Sequence, residues 1–520
     1  MRKLFGHLCF MICVLCLSAC TYTQPITQAD PQASTQATQK PNIIVILADD
    51  LGTGDVSFYN RKILNKKPVV NTPSIDALAE NGIWFSNGHS ATALCAPTRY
   101  AVMSGKNNYR SYAPWGVWNS FNKNAVTESD HTLGTVAKLG GYATGFVGKW
   151  HLGGDFALKD SSAIYRGTDD GEQPQVDLTK MLGGGPNNLG FDYSFMLPTG
   201  IQGPLYLAYE NQSWYPLEAH SKIQYVNAQT AIEPKIVSDK GPGMGDSQWD
   251  TRKMGDILSA KAADFIKSSS KDGPFFLYYA SPMVHIPHMP PESFDGKKIA
   301  GSTPSHHLDM VVELDMQINR LITALKEAGQ YQNTLILLTS DNGGLLKKAS
   351  IRAGHKTSGI YRGSKNLPYE GGHRTPYIAS WPSKITSPVI SDEAVVVQDL
   401  LATVAGAAGV KLNATDAPDS NDLTPLFTGE GEFHPRKQMF LQGGSFTQAI
   451  YIKGDWKLII QSNRKRTKFE PIALFNLKTN IRELESQNLL KQQQARVQAM
   501  LKEYLSIRNA GIPTAPAYLN

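Results

Sequence analysis

The stretch Asn42-Ile-Ile-Val-Ile-Leu-Ala-Asp-Asp50 decides the fold class of this 520-residue chain. Its apolar part has the length of a strand and lacks polar alternation, which is typical of a strand covered on both faces of a sheet. Similar runs at 142–147, 274–280, 334–339 and 376–380 predict further strands. Segments with helical spacing lie between these runs, and such alternation indicates parallel strands. We therefore predict an α/β fold with a large mixed, mainly parallel β-sheet sandwiched by helices.

Polar side chains follow four of the predicted strands, at the point where each strand ends. In open α/β sheets, ligands bind beyond the carboxyl ends of the strands. We therefore expect these side chains to share one site at one edge of the sheet. They are Asp49, Asp50, Lys149, His151, His285, Asp341 and Asn342.

The end of the chain has a different pattern. Short runs at 438–442, 447–453 and 456–460 are separated by turns that contain glycine, which predicts an antiparallel meander. A segment with helical periodicity follows. We predict a main domain over 41–428 and a smaller C-terminal α+β subdomain with an antiparallel sheet over 429–520.

The beginning of the chain is typical of an exported lipoprotein. A basic head and an apolar run precede Leu-Ser-Ala-Cys20, and this run is too short to remain as a membrane helix. The cysteine context resembles the bacterial lipobox, so we predict a lipoprotein signal peptide over 1–20 and lipidation of Cys20. Residues 21–40 are polar and predict a flexible tether. The predicted location is a bacterial outer membrane, held through the lipid. An ordinary signal peptide is the alternative.

Composition excludes some classes of function. The formal charge of +6 is small for 520 residues, so we expect no nucleic-acid partner. The composition leaves the oligomeric state open. Of the five cysteines, only Cys95 lies beyond Cys20, so no internal disulfide is expected. The commonest role of such a single cysteine is that of a buried, inert side chain.

The segment Cys95-Ala-Pro-Thr-Arg99 points instead to chemistry. Pro97 suits the first turn of a helix, which would leave Cys95 at a helix N-terminus, where free N–H groups and the helix dipole favour anions. Arg99 would lie one turn further on the same face. A thiol nucleophile activated by these positive surroundings is one interpretation. It does not explain the carboxylates predicted nearby.

This segment matches C-x-P-x-R, and with four others it resembles the cysteine-type sulfatases of the alkaline phosphatase superfamily. In that family a maturase converts the cysteine to formylglycine, which implies the same modification of Cys95. A single C-x-P-x-R would be weak evidence, but five segments in the family's order are strong. The other four are Pro41–Gly52, Gly141–Gly153, Thr339–Gly344 and Arg362–Pro376.

The resemblance implies a metal site built from oxygen ligands. Such ligands suit Ca²⁺, with Mg²⁺ less favoured. The bland alternative for Asp49 and Asp50 is a helix cap or a turn. Two carboxylates at a buried strand end would, however, repel each other unless a cation neutralised them. The implied ligands are Asp49, Asp50, Asp341, Asn342 and the formylglycine oxygen at Cys95.

The resemblance also implies a mechanism in which hydrated formylglycine attacks sulfur, with Asp341 helping to remove the proton. Arg99 and Lys149 would hold the developing charge. His285 would protonate the departing alcohol while Lys365 binds sulfate oxygens. His151 would deprotonate the second hydroxyl of the hydrate, which expels sulfate. The implied catalytic residues are Cys95, Arg99, Lys149, His151, His285 and Lys365.

The predicted function is hydrolysis of sulfate esters, with sulfated polysaccharide or its oligosaccharides inferred as substrate from the compartment. One alternative is a phosphonate or phosphate ester hydrolase of the same superfamily. Another is a non-catalytic lipoprotein that binds sulfated glycan. His288, His355 and Lys356 are candidate substrate contacts, and His373 is a candidate structural residue. The aromatic side chains in 115–121 and 206–214 and that of Trp249 would suit sugar stacking, although packing is their commoner role.

Overall fold

The computed structural model describes residues 40–114, 116–445 and 447–510. The predicted signal peptide, the lipidation at Cys20 and nearly all of the tether lie outside the described residues. Within these ranges, every helix is too short or too polar to cross a membrane.

Strands and helices alternate along the described chain. In chain order the strands are β1 (Asn42–Ala48), β2 (Ile83–His89), β3 (Ala143–Lys149), β4 (Tyr193–Leu197), β5 (Ala208–Glu210), β6 (Ser213–Tyr215), β7 (Ile223–Val226), β8 (Gly243–Asp246), β9 (Phe275–Ala280), β10 (Ser293–Phe294), β11 (Lys297–Lys298), β12 (Thr334–Ser340), β13 (Tyr377–Ser380), β14 (Val389–Val396), β15 (Gln438–Gln442), β16 (Gln448–Lys453), β17 (Trp456–Ser462) and β18 (Phe469–Asn476). The α-helices are α1 (Pro73–Glu80), α2 (Cys95–Ser104), α3 (Leu133–Leu139), α4 (Met254–Ser269), α5 (His306–Glu327), α6 (Lys348–Arg352), α7 (Glu370–His373), α8 (Asp399–Ala408), α9 (Thr424–Thr428) and α10 (Gln494–Ala510).

The central sheet has ten strands in the order β14-β2-β13-β12-β1-β9-β3-β4-β5-β6. Its middle is parallel, because β12, β1, β9, β3 and β4 pair in the same direction. Strand β13 is antiparallel to both of its neighbours, and β5 and β6 extend the other side as antiparallel strands. The prediction of a large mixed, mainly parallel sheet is confirmed.

Strand β1 shows why its sequence is apolar throughout. Ile43, Val45 and Leu47 pack into one core with helices α2, α3 and α8. Ile44 and Ile46 point to the other face and pack with α1, α4 and α5. A strand with helices on both faces buries every side chain, so period-two alternation is absent.

Strands β15 to β18 form a separate antiparallel sheet in chain order. Helix α10 covers it through Val497, Met500 and Tyr504, which pack with Tyr451 and Leu458. This confirms the predicted smaller α+β part with its antiparallel sheet. All four strands and the helix fall within 429–520, while the predicted boundary at 428 itself stays a prediction.

Candidate active site

The ends of four neighbouring strands deliver polar side chains to one edge of the central sheet, as the sequence predicted. Asp49 and Asp50 follow β1, and Asp341 and Asn342 follow β12, which is paired with β1 residue for residue. On the other side of β1, the chain leaves β9 towards His285. Strand β3 ends at Lys149, two residues before His151.

Cys95 is the first residue of helix α2, and Pro97 lies in its first turn as predicted. The thiol is buried, and its Sγ lies 3.5 Å from Nδ1 of His151. Burial raises the pKa of the Cys95 thiol even though Lys149 and Lys365 are close enough to oppose the shift. This environment does not favour a free thiolate, which argues against an unmodified thiol nucleophile.

A buried chain of charges connects Arg99, Lys149 and two carboxylates. Nη2 of Arg99 lies 2.7 Å from Oδ2 of Asp341 and 3.5 Å from Oδ2 of Asp49. Nζ of Lys149 lies 2.5 Å from Oδ2 of Asp49 and donates a further hydrogen bond to Gln202 at 3.1 Å. Both cations therefore sit directly beside the carboxylates next to Cys95.

The remaining predicted residues lie around Asp50. Nζ of Lys365 lies 2.7 Å from Oδ1 of Asp50, and Nδ2 of Asn342 donates to the same oxygen at 2.7 Å. Nε2 of His285 is 3.7 Å from Oδ2 of Asp50. Burial lowers the pKa of His285 to about 3, with Lys365 adding to the shift and Asp50 opposing it. All predicted catalytic and metal residues thus share one site.

Two oxygens of the predicted metal ligands have no hydrogen-bond partner within the described residues. They are Oδ1 of Asp49 and Oδ1 of Asn342, and both are buried. Burial and the charge of Asp49 raise the pKa of Asp341 to about 7, against the opposing effect of Arg99. Partnerless oxygens and mutually repelling carboxylates fit a hard divalent cation, which would satisfy both. Asp49, Asp341 and residue 95 bring ligand atoms within 4.8 Å of one another.

Two residues of the site adopt backbone conformations that side chains disfavour. Asp50 has a φ of 62° and His151 a φ of 58°. Left-handed conformations in residues other than glycine are uncommon, and they concentrate where function requires a particular side-chain direction. In this site they belong to a carboxylate that contacts Lys365 and to an imidazole that contacts Cys95.

The site opens into a cavity of about 790 Å³ whose wall combines polar side chains with apolar ones such as Val117 and Leu345. Gln202, which accepts a hydrogen bond from Lys149, was not among the predicted site residues. Its only signal was a position in the Gly-rich turn after the apolar run of β4. The polar wall residues include Asn119, Asp169, Asp170, Gln202, Asp239 and Lys240.

Several candidate contacts have other partners. Nε2 of His355 lies 2.6 Å from Oδ1 of Asp55, so it is part of a buried hydrogen bond. Trp249 is buried, and its ring packs edge-on against Tyr206 at 6.0 Å, which excludes both from stacking on a sugar. Lys356 is exposed, and its side chain lines none of the cavities described for the structure.

His373 belongs to a second buried cluster that joins α7 to the antiparallel sheet. Nζ of Lys457 on β17 lies 2.9 Å from Nε2 of His373, 3.0 Å from Glu370 and 2.7 Å from Glu483. Nδ1 of His373 lies 2.9 Å from Nδ1 of His89. The ammonium group fills the centre of this cluster, which supports the predicted structural role of His373.

The geometry agrees with three comparisons. The Sulfatase family model matches residues 41–410. The N-acetylgalactosamine-6-O-sulfatase of Bacteroides thetaiotaomicron is 31% identical over 462 residues, which are 82% of this chain and 84% of that protein. Human arylsulfatase A is 31% identical over 411 residues, 77% of this chain and 70% of that protein. A solved Bacteroides thetaiotaomicron structure, described under metabolism of multiple glycosaminoglycans, covers 91% of this chain and is itself covered completely, at 28% identity and a TM-score of 0.74. The chain therefore belongs to the sulfatase family, and it is a sulfuric ester hydrolase.

Proposed function

We propose that this sulfatase removes sulfate from carbohydrate, using a formylglycine formed from Cys95 and a bound Ca²⁺ ion. The observation that carries the proposal is the pair of partnerless oxygens on Asp49 and Asn342, which lie in the same buried site as Cys95. A divalent cation in that position would draw electron density from the nucleophile and from the sulfate oxygens. Its protein ligands would be Asp49, Asp50, Asp341 and Asn342.

The hydrated aldehyde at residue 95 would supply two hydroxyl groups on one carbon. The first attacks sulfur, and the second is needed to release sulfate, so neither serine nor cysteine would serve equally well. His151 has the position for a base in the second step, because its Nδ1 lies 3.5 Å from Sγ of Cys95. Burial and the charge of Lys149 lower its pKa, which keeps the imidazole neutral and ready to accept a proton.

The cationic side chains of the site and His285 have different roles in the reaction. Arg99 and Lys149 hold the negative charge that develops next to residue 95. Lys365 binds sulfate oxygens, and its ion pair with Asp50 fixes the ammonium group at the rim of the cavity. His285 donates the proton to the departing alcohol. A bound sulfate brings negative charge near the imidazole and so raises its pKa, which this role requires.

The polar side chains within the mixed wall of the cavity support a carbohydrate as the alcohol. Side chains such as Asn119, Gln202 and Asp169 offer hydrogen-bond donors and acceptors to a polyhydroxylated ring, whereas an apolar alcohol would leave them unpaired. Among the relatives, the Bacteroides thetaiotaomicron protein is an N-acetylgalactosamine-6-O-sulfatase. A 6-O-sulfated amino sugar of the glycosaminoglycan type is therefore the first substrate to test.

We further propose that the enzyme works outside the cytoplasm, as a lipoprotein of a bacterial outer membrane. The signal sequence before Cys20 and the polar segment 21–40 support this location. The lipid would hold the enzyme at the membrane while the tether gives it reach towards a polymeric substrate.

The decisive experiment is peptide mass spectrometry over Cys95 together with activity assays, on protein made with a maturase. We expect the mass of formylglycine at position 95 and turnover of an aryl sulfate, with a much slower reaction on an aryl phosphonate. A Cys95→Ala variant should fold but be inactive. Full activity with an unmodified thiol would refute the mechanism, and faster phosphonate turnover would favour the phosphonate ester hydrolase.

A further inference from the structure

A second groove of about 590 Å³ lies beside the active-site cavity. Asp239 and Ile286 line both, so the groove and the cavity are adjacent. The loop after β12 also links them, because Leu345 lines the cavity and Lys347 lines the groove. A ligand that leaves the cavity on this side would enter the groove directly.

The groove is rich in cations. Lys235, Lys347 and Lys348 line it, and Asp239 is the only carboxylate among its described lining residues. Nζ of Lys235 donates to the carbonyl oxygen of His288 at 2.6 Å, which directs this ammonium group over the groove. The surplus of positive charge favours a negatively charged ligand.

Lys347 is the most informative of these residues. Its side chain is half-buried, and within the described residues it has no hydrogen bond and no ion pair. Burial lowers the pKa of Lys347, and the charges of Asp50 and Asp239 oppose this shift. A partly desolvated ammonium group without a partner costs free energy, and an anion in the groove would offset that cost.

The N-terminus of helix α5 faces the same groove. Ser305 caps this 22-residue helix, and His306 and His307 are its first residues. His307 is 2% exposed, and its Nε2 has no partner within the described chain, whereas its Nδ1 lies 3.2 Å from the hydroxyl of Ser350. An unsatisfied imidazole nitrogen and the positive end of a long helix are both suited to an oxyanion.

We infer that the groove binds a second oxyanion of the substrate, a carboxylate or sulfate on the sugar next to the one that is cleaved. This inference rests on the proposed function, because it extends the same carbohydrate site. Charge favours the groove for this anion, because three lysines and one carboxylate line the groove, whereas Asp169 and Asp170 add two further carboxylates to the cavity. The enzyme thus selects sulfated chains with a further negative group on the Lys347 side.

The test compares three disaccharides with the same cleavable sulfate. One carries a uronic acid on the neighbouring sugar, one carries the methyl ester of that uronic acid, and one carries a second sulfate there. The variant is Lys347→Met, and the matched control is Lys356→Met, an exposed lysine of the same segment outside the groove. An aryl sulfate serves as the reference substrate.

We expect Lys347→Met to lower kcat/KM for the two dianionic disaccharides about tenfold relative to the aryl sulfate, mainly through KM, as for the loss of one charge-assisted hydrogen bond. The methyl ester should show no such relative loss, and Lys356→Met should change none of the ratios. If only one dianionic substrate responds, that substrate identifies the oxyanion. Equal losses for ester and acid, or no loss for either acid, would overturn the inference.

Failure of the second oxyanion site can be distinguished from failure of the proposed sulfatase function. Absence of aryl sulfate turnover in the matured native enzyme would refute the sulfatase mechanism itself. If the aryl sulfate is cleaved but the disaccharides are not, their inhibition constants against the aryl sulfate provide the same comparison. A dianionic inhibitor that binds no better than its methyl ester would then refute the second oxyanion site.

Discussion

Replacement of Lys457 by methionine tests how strongly the antiparallel sheet is coupled to the catalytic part. The ammonium group is fully buried between Glu370 and Glu483, with ion-pair distances of 3.0 Å and 2.7 Å. Methionine keeps most of the length of the side chain but removes the charge. The change therefore isolates the electrostatic contribution of this cluster.

The expected cost is about 3 kcal/mol. Removing one partner of a buried ion pair typically costs about 3–5 kcal/mol, because the other charge stays buried without compensation. The cost here lies at the lower end for two reasons. Glu370 keeps Arg374 as a partner at 2.6 Å. Burial raises the pKa of Glu483, so this carboxyl group takes up a proton readily once Lys457 is absent.

Differential scanning calorimetry shows whether the two parts of the protein unfold together, because the same loss of free energy lowers the melting temperature less when more residues unfold in one transition. The entropy of unfolding is about 2.1 cal/mol/K per residue, or ~1 kcal/mol/K for roughly 470 residues that unfold together. In that case the melting temperature falls by only about 3 °C. If the part after residue 428 unfolds alone, the entropy of unfolding is that of roughly 80 residues. The melting temperature of this separate transition then falls by about 18 °C.

The control is Lys453→Met on the neighbouring strand β16. Lys453 forms an exposed pair with Glu503 at 2.7 Å, and its side chain is 50% exposed. Such pairs contribute at most about 1 kcal/mol, so the control should melt within about 1 °C of the native protein if unfolding is global. Equal shifts for the two variants would refute the argument that Lys457 compensates buried carboxylates.

Three further changes probe the active site. Gly200→Ala should lower kcat about a hundredfold in a steady-state assay, because Gly200 has a φ of 89° and an added Cβ would lie 2.7 Å from Cδ of Lys149. The control is Gly141→Ala, because Gly141 has a similar φ of 81° but open space around an added Cβ. Addition of Ca²⁺ to metal-free enzyme at about 100 times its Kd should stabilise the enzyme by ~2.7 kcal/mol, which is measured as a higher melting temperature. Asn342→Leu should reduce this increase in melting temperature, and an unchanged increase would exclude Asn342 as a ligand. His285→Ala should lower kcat about 10² to 10⁴-fold for a sugar sulfate, whose leaving group needs a proton, and far less for 4-nitrophenyl sulfate; equal losses would exclude His285 as the general acid.

The sequence predicted the middle of the fold more accurately than its sides. Strand β1 was predicted with the observed bounds, and β12 with one residue too few, because buried parallel strands are apolar throughout. Strands β2 and β14 were missed. The second half of β2 is Ser-Asn-Gly-His, and only the last two residues of β14 are buried, so their places in the sheet depend on pairing and not on a local pattern.

Some residues of the candidate site could likewise be predicted from the sequence and others could not. The strand-end rule and the family segments brought Asp49, Lys149 and His285 to one edge before the structure was known. Gln202 and Lys457 could not be predicted in this way. Lys149 and Gln202 are 53 residues apart, and Lys457 and Glu370 are 87 apart, so each contact depends on tertiary packing. Neither position carries a periodic or charged pattern in its own segment.

The burial of Cys95 sets an order of events in the life of the protein. Its side chain is 4% exposed and lies within a formed helix, so a modifying enzyme cannot surround this segment once the chain has folded. The proposed conversion of the thiol to formylglycine must therefore precede folding, while the segment is still extended. Synthesis, modification and folding then compete in time, and a chain that folds first is trapped as a stable but inactive thiol form. The yield of active enzyme in any host is thus a kinetic ratio, and slower folding during production should raise it.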